Sequence, residues 1–282
     1  TMIIRNGKIV TWGEPNEILE GKALLIQDGL IQEIGNESDL LAAHHGEEVL
    51  DAQGQLVMPG LICAHTHFYG AFSRGMAVPG EPSRNFQEIL ANLWWKLDKG
   101  VDEDGVRYSA LALLADATRY GCTTLFDHHA SPNCIDGSLD IEADAVVESG
   151  LRASLCYEVT DRDGEERALA GIRENGRFIG NVQSGKYDPM LRAHFGLHAS
   201  LTISEETLEK CLAENNGRAG FHSHAAEGIV DQDDSLTKYC KRVVERFTES
   251  CVLVEKTILA YGVHLCPHEF DLVAQSGTWL SH

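Results

Sequence analysis

Two rhythms of apolar and polar positions divide the chain. From Met2 to about Ala52, short apolar runs (3–12, 23–27, 31–34 and 49–51) are separated by turn signals such as Asn6-Gly7 and Asp28-Gly29. That pattern predicts a small antiparallel sheet module. From Leu61 onward, buried-type apolar runs of four to seven residues alternate with stretches of helical period. Strands are predicted at 61–65, 123–127, 152–158, 192–197, 220–224, 257–261 and 278–281, and helices at 102–120, 139–149, 164–179, 205–215, 233–249 and 267–275. Strands alternating with helices imply a parallel sheet, and so many repeats favour a closed (β/α)8 TIM-type barrel over a doubly wound sheet. Seven strands are predicted, and the eighth that closure needs is missing. The expected organisation is therefore residues 1–56 as the N-terminal part of a β-sandwich module and residues 57–282 as a (β/α) barrel truncated after its seventh strand.

Composition narrows the class. A chain of 282 residues with 43% hydrophobic and 23% charged residues suits a soluble globular enzyme. The formal charge of −20 argues against nucleic acid or an anionic membrane as partner, because either polyanion would be repelled. The eight cysteines are scattered without a Cys-x-x-Cys pair and read as reduced thiols. No apolar run is long enough to span a bilayer, and the first residues enter a strand pattern without a basic leader. These features place the protein in the cytoplasm.

Chemistry concentrates at the strand ends, where a barrel carries its active site. The run Val57-Met58-Pro59-Gly60-Leu61-Ile62-Cys63-Ala64-His65-Thr66-His67 delivers two imidazoles one residue apart. On a strand of period two, His65 and His67 share a face, as a Zn²⁺ or Fe²⁺ site requires. Further strands end in Asp127-His128-His129, Gly196-Leu197-His198, His222-Ser223-His224-Ala225-Ala226-Glu227, Tyr261-Gly262-Val263-His264 and Ser281-His282. Thirteen histidines distributed at random over a surface would not collect in this way. His222 shares the face of His224 one pleat deeper and is expected to stand behind a ligand. His128 and His129 either line the pocket or support it from behind. Trp94-Trp95 either caps the pocket with aromatic surface or packs in the core.

Together these motifs resemble the amidohydrolase superfamily in its metal-dependent aminohydrolase branch, which includes guanine deaminases, adenosylhomocysteine and methylthioadenosine deaminases and triazine chlorohydrolases. The phrases around His65, His128 and His198 look closest to SsnA-type aminohydrolases. The resemblance implies that His65, His67 and His224 are metal ligands and that Glu227 shuttles the proton. It also implies that His198 contacts the substrate ring, with Trp94 and His129 as further substrate-binding candidates. Binuclear relatives carry a carboxylated lysine at the third or fourth strand end. Here those ends read Cys156-Tyr157-Glu158 and Gly196-Leu197-His198, which implies a single divalent ion, zinc before iron.

The implied reaction is deamination of a purine, pyrimidine or related heterocycle by metal-activated hydroxide, with release of ammonia. An s-triazine chlorohydrolase on the same scaffold and a catalytically inactive truncated homologue are the alternatives. Relatives place a histidine where this chain has Tyr261, which is expected to stand behind the ligands. They also carry a metal-binding aspartate on the eighth strand, so the chain reads as C-terminally truncated. The partner is a small molecule, and the resemblance leaves room for a homodimer.

Overall fold

A computed structural model describes residues 1–77 and 80–282, and the chain separates into two units, Thr1–Leu61 and Ile62–His282. In the first unit, strands β1 (Met2–Arg5), β2 (Lys8–Val10), β3 (Ile18–Leu19), β4 (Lys22–Gln27), β5 (Leu30–Asn36), β6 (Glu48–Asp51) and β7 (Leu56–Val57) form two sheets, β5-β4-β1-β6 and β3-β2-β7. Asp28 and Gly29 both take left-handed backbone (φ 52° and 76°), as a two-residue hairpin turn of matching twist requires, and join β4 to β5.

The expectation of a purely antiparallel module needs correction. β6 pairs parallel to β1 and β7 pairs parallel to β2, because Asn6-Gly7 sends β1 and β2 into different sheets and does not close a hairpin. A short helix, α1 (Glu37–Ala43), was not anticipated; it buries Leu40 against Ile3, Ala23 and Leu25.

The second unit is built of β8 (Leu61–Thr66), β9 (Cys122–Asp127), β10 (Arg152–Leu155), β11 (Leu191–Ala193), β12 (Phe195–Leu197), β13 (Phe221–Ala225), β14 (Ile258–Tyr261) and β15 (Trp279–Ser281). The strands lie in the orders β8-β9-β10-β11 and β12-β13-β14-β15, and the pairs β9-β10, β10-β11, β12-β13, β13-β14 and β14-β15 run parallel. This is an α/β architecture with parallel sheets. The single strand expected at 192–197 is interrupted at His194. There β11 pairs back to β10, β12 pairs forward to β13, and the His194 side chain bonds Ser154 Oγ at 2.6 Å.

After β8 come α2 (Phe86–Ile89) and α3 (Trp95–Leu97), joined by a π-type turn at Leu90–Trp94; Asn85 starts this segment by accepting from Glu88 N at 2.9 Å. The remaining helices are α4 (Glu103–Arg119), α5 (Ser138–Ser149), α6 (Glu165–Gln183), α7 (Glu205–Asn215), α8 (Ile229–Tyr239), α9 (Val243–Glu249) and α10 (Pro267–Ser276). Their ends follow local chemistry. Asp102 caps α4 through Gly105 N, Ser204 caps α7 through Thr207 N, and α10 opens with Pro267 and stops at Gly277 in left-handed backbone.

The one long helix expected at 233–249 is two helices. Cys240 turns left-handed (φ 55°) and ends α8, and Glu245 restarts α9 by accepting from Arg242 N at 2.7 Å. The helices bury two apolar clusters on the strands. One gathers Leu114, Leu125, Leu139, Val146, Leu155 and Phe178, and the other gathers Phe195, Leu197, Phe221, Val244, Phe247 and Leu259. Each such side chain contributes roughly 1.5–3 kcal/mol on burial, which makes the sheet a firm platform for what stands at its strand ends.

Candidate metal centre

His65 and His67 lie at the end of β8 and its exit, and His224 lies near the end of β13, so the parallel register brings three imidazoles to one point. His224 Nε2 is 3.2 Å from both His65 Nε2 and His67 Nε2. The partners of the outer nitrogens decide what these atoms present. His67 Nδ1 lies 2.6 Å from the His128 carbonyl and must donate to it, which leaves Nε2 as a bare lone pair. Behind His65, the Cys156 thiol donates to the Asp127 carbonyl, so His222 Nδ1 donates to the sulfur. His222 Nε2 then accepts from His65 Nδ1 at 2.8 Å, and His65 Nε2 is also bare.

Burial holds all three rings neutral. It pulls His65 down to about 2, with His67 adding to the effect, and His67 down to about 4, with His128 adding; His224 falls well below the ordinary range. His65 Nε2 and His67 Nε2 both offer lone pairs to the point that His224 Nε2 approaches at 3.2 Å, and with the His224 proton on Nδ1 all three nitrogens would accept from a cation between them. Ligands at zinc–nitrogen distances in a tetrahedral shell would stand about 3.3 Å apart, so the donor set fits a divalent ion.

A cavity lies beside this point, lined by His67, Trp94, Trp95, Glu158, Arg162, His198, His224, Glu227 and Tyr261. Burial pushes the Glu227 carboxyl up to about 7, and the nearby charges of Asp231 and Glu158 add to it. The loop that carries it is tied down by Asp231, whose two oxygens accept from Ala226 N at 2.8 Å and Leu201 N at 2.9 Å. Thr202 anchors His198, with its Oγ1 2.6 Å from Nδ1. Tyr261 ends β14 in strained left-handed backbone (φ 75°), and its ring centroid lies 5.3 Å from that of His65 and 5.5 Å from that of His224.

Two expectations fare differently. Trp94 is on the cavity wall. His129 is not: it is fully buried, with Nε2 bonded to Ser131 Oγ at 2.9 Å, because it leaves the strand end on the side opposite His128. His128 is also buried; its Nε2 donates to the carbonyls of Leu197 and His222 at 3.1 Å.

Glu158 and Arg162 were missed. Burial works against ionisation of Glu158, yet His198, His128 and Arg162 hold its carboxyl well below the usual range. Its Oε2 lies 3.2 Å from His128 Nδ1, and its oxygens come within ligand reach of His67, His198 and His224. Arg162 pairs with Asp98, with Asp163 at 3.0 Å and with Glu158 at 3.7 Å, and its guanidinium lies 5.4 Å from the Trp95 ring centroid. The signal was the carboxylate in Cys156-Tyr157-Glu158, a strand end read only for the lysine it lacks.

The model of the amidohydrolase family matches residues 56–281. The chain belongs to the amidohydrolase family. Among curated amidohydrolase relatives, the 5-methylthioadenosine/S-adenosylhomocysteine deaminase 2 of Archaeoglobus fulgidus is 30% identical over 283 residues, covering all of this chain and 62% of that protein. The chain thus spans under two thirds of the length of that relative. Among solved structures, an adenosine deaminase from Xanthomonas campestris with bound zinc is 20% identical with a TM-score of 0.78, covering all of this chain and 62% of the other. An atrazine chlorohydrolase from Arthrobacter aurescens complexed with zinc is 19% identical with a TM-score of 0.80, covering all of this chain and 65% of the other. These likenesses make the amidohydrolase fold TIM-barrel-like.

Proposed function

We propose that this amidohydrolase is a metal-dependent aminohydrolase that removes the amino group of a heterocycle, an adenosine-type purine before others, as ammonia. The observation that carries this reading is the convergence of three neutral imidazole nitrogens beside a cavity whose wall holds a carboxyl group poised near neutrality. His65, His67 and His224 would hold one divalent ion, zinc before iron, since three imidazoles suit both. Such an ion supplies a hydroxide nucleophile at neutral pH by lowering the pKa of the water it polarises towards about 7.

The side chains do the rest. Glu227, near pKa 7, takes a proton at its carboxylate and returns it to a ring nitrogen or to the departing amine. His198, oriented by Thr202, presents Nε2 to the heterocycle, and Trp94 packs against its face. His222 fixes the tautomer of His65, and Tyr261 offers a hydroxyl that stays protonated, since burial pushes it up to about 12.

The sheet order supports seven strand positions of a (β/α)8 barrel, with β11 and β12 counted as one interrupted strand. The eight free cysteines fit a cytoplasmic setting. The chain pairs as a homodimer in this reading, which light scattering tests.

The chlorohydrolase neighbour favours one second reading, chloride displacement from an s-triazine by the same hydroxide. The test is a panel of adenosine derivatives, other purines, pyrimidines and chloro-s-triazines offered to the zinc-loaded protein, with ammonia and chloride both measured. Ammonia from the adenosine derivatives supports the proposal, chloride alone moves the function to the second reading, and bound zinc without either product makes the chain an inactive homologue.

A further inference from the structure

A second group of titratable side chains lies outside the cavity. Asp127 at the end of β9, His129 just beyond it and Glu142 on α5 each place a ligand-type atom within 4.8 Å of the others, and all three residues are fully buried. Their outward valences are taken. Asp127 Oδ1 accepts from Phe68 N at 2.6 Å, and His129 Nε2 meets Ser131 Oγ at 2.9 Å. The Ser131 hydroxyl spends its only proton on the Cys134 carbonyl at 2.5 Å, so it can only accept from His129. The proton of His129 is therefore on Nε2, and Nδ1 is a bare lone pair.

That lone pair sits 2.8 Å from Glu142 Oε1 without hydrogen-bond alignment. Asp127 Oδ2, both Glu142 oxygens and His129 Nδ1 are buried and have no partner. Among the described residues, no lysine or arginine pairs with either carboxylate. Two buried acid groups and a nitrogen lone pair thus face one small volume with no lysine or arginine beside them; burial pushes both acids up, so without a metal they hold protons, and a divalent ion would take the place of those protons and give every one of these atoms a partner.

We propose that Asp127, His129 and Glu142 form a second, structural site for a divalent transition-metal ion, distinct from the tri-imidazole centre. One imidazole and two carboxylates suit a zinc-type ion better than calcium or magnesium, which take oxygen alone. Because the site is closed to solvent, the ion enters as the chain folds and clips β9 to α5.

The experiment is elemental analysis of protein grown with zinc, comparing wild type, Glu142→Gln and His65→Ala. Two equivalents in wild type and one in each variant are expected. Dialysis of the native wild type against a chelator should remove one equivalent, and unfolding in chelator both. Equal zinc in wild type and Glu142→Gln overturns the proposal and means that Asp127 and Glu142 share a proton instead; loss confined to His65→Ala leaves the tri-imidazole centre standing. Should Glu142→Gln fail to fold, anomalous scattering at the zinc edge from wild-type crystals decides. A peak between Asp127, His129 and Glu142 supports the site, and its absence overturns it, whatever is seen at His65, His67 and His224.

Discussion

Replacing Glu227 by glutamine separates its chemical role from its structural cost. In the metal-free protein burial raises this carboxyl from 4.5 to about 7, so the folded state binds the proton more tightly than the unfolded chain. Stability from this group is therefore fully present below about pH 4.5 and is lost as the pH rises through about 7. At about 1.4 kcal/mol per unit the ceiling is ~3.4 kcal/mol, and partial solvent access reduces this to about 2–3 kcal/mol. Glutamine is close to isosteric with the protonated acid. Glu227→Gln should match wild type in urea unfolding at about pH 4 and exceed it by about 2 kcal/mol at about pH 8. In the zinc-loaded enzyme the same change should lower turnover by about 10²–10⁴-fold, as expected for loss of a positioned proton carrier. A stability difference that stays constant across this pH range would refute the argument that Glu227 is a desolvated acid, and retained turnover would remove it from the reaction.

Further outcomes follow from the packing. A Cβ on Gly196 would lie 2.2 Å from the Tyr157 carbonyl oxygen, where no side chain can move aside. Gly196→Ala should cost about 1–3 kcal/mol in urea unfolding, and an unchanged midpoint would contradict the close approach of these strands. Phe247, fully buried among Val244, Phe221 and Leu259, should cost about 3–5 kcal/mol as Phe247→Ala while zinc content per folded chain stays at the wild-type level. Arg162→Met strips Asp98 and Glu158 of their shared cation and should destabilise by about 3–5 kcal/mol. Burial pushes Asp98 up to about 6 even with Arg162 lowering it, and without that cation it rises further and can protonate, so the loss should shrink as the pH falls towards about 6, and equal losses at about pH 5 and pH 8 would contradict it.

Much of this was legible because periodicity and strand-end chemistry are local signals. The period-two spacing of His65 and His67 and of His222 and His224 puts pairs of rings on one face, and the strand rhythm from Leu61 places each parallel strand to within a few residues. What escaped was decided by neighbours distant in sequence. β6 lies parallel to β1 through pairing across more than forty residues, which no local turn signal announces. The break at Cys240 depends on a single left-handed residue inside a pattern that otherwise continues as helix. His129 faces away from the cavity, where Ser131 holds it, a contact that the dipeptide His128-His129 does not reveal. Glu158 gains its importance from His128, His198 and Arg162, which reach it from three separate segments.

The most direct measurement for the central claim is ammonia release from adenosine derivatives by the same protein sample as purified, after removal of metal by chelation, and after zinc is restored. The account predicts turnover that disappears with the metal and returns with one zinc per tri-imidazole centre, and no recovery in His224→Ala. Zinc bound at His65, His67 and His224 without ammonia from any substrate, or turnover indifferent to chelation, would contradict it.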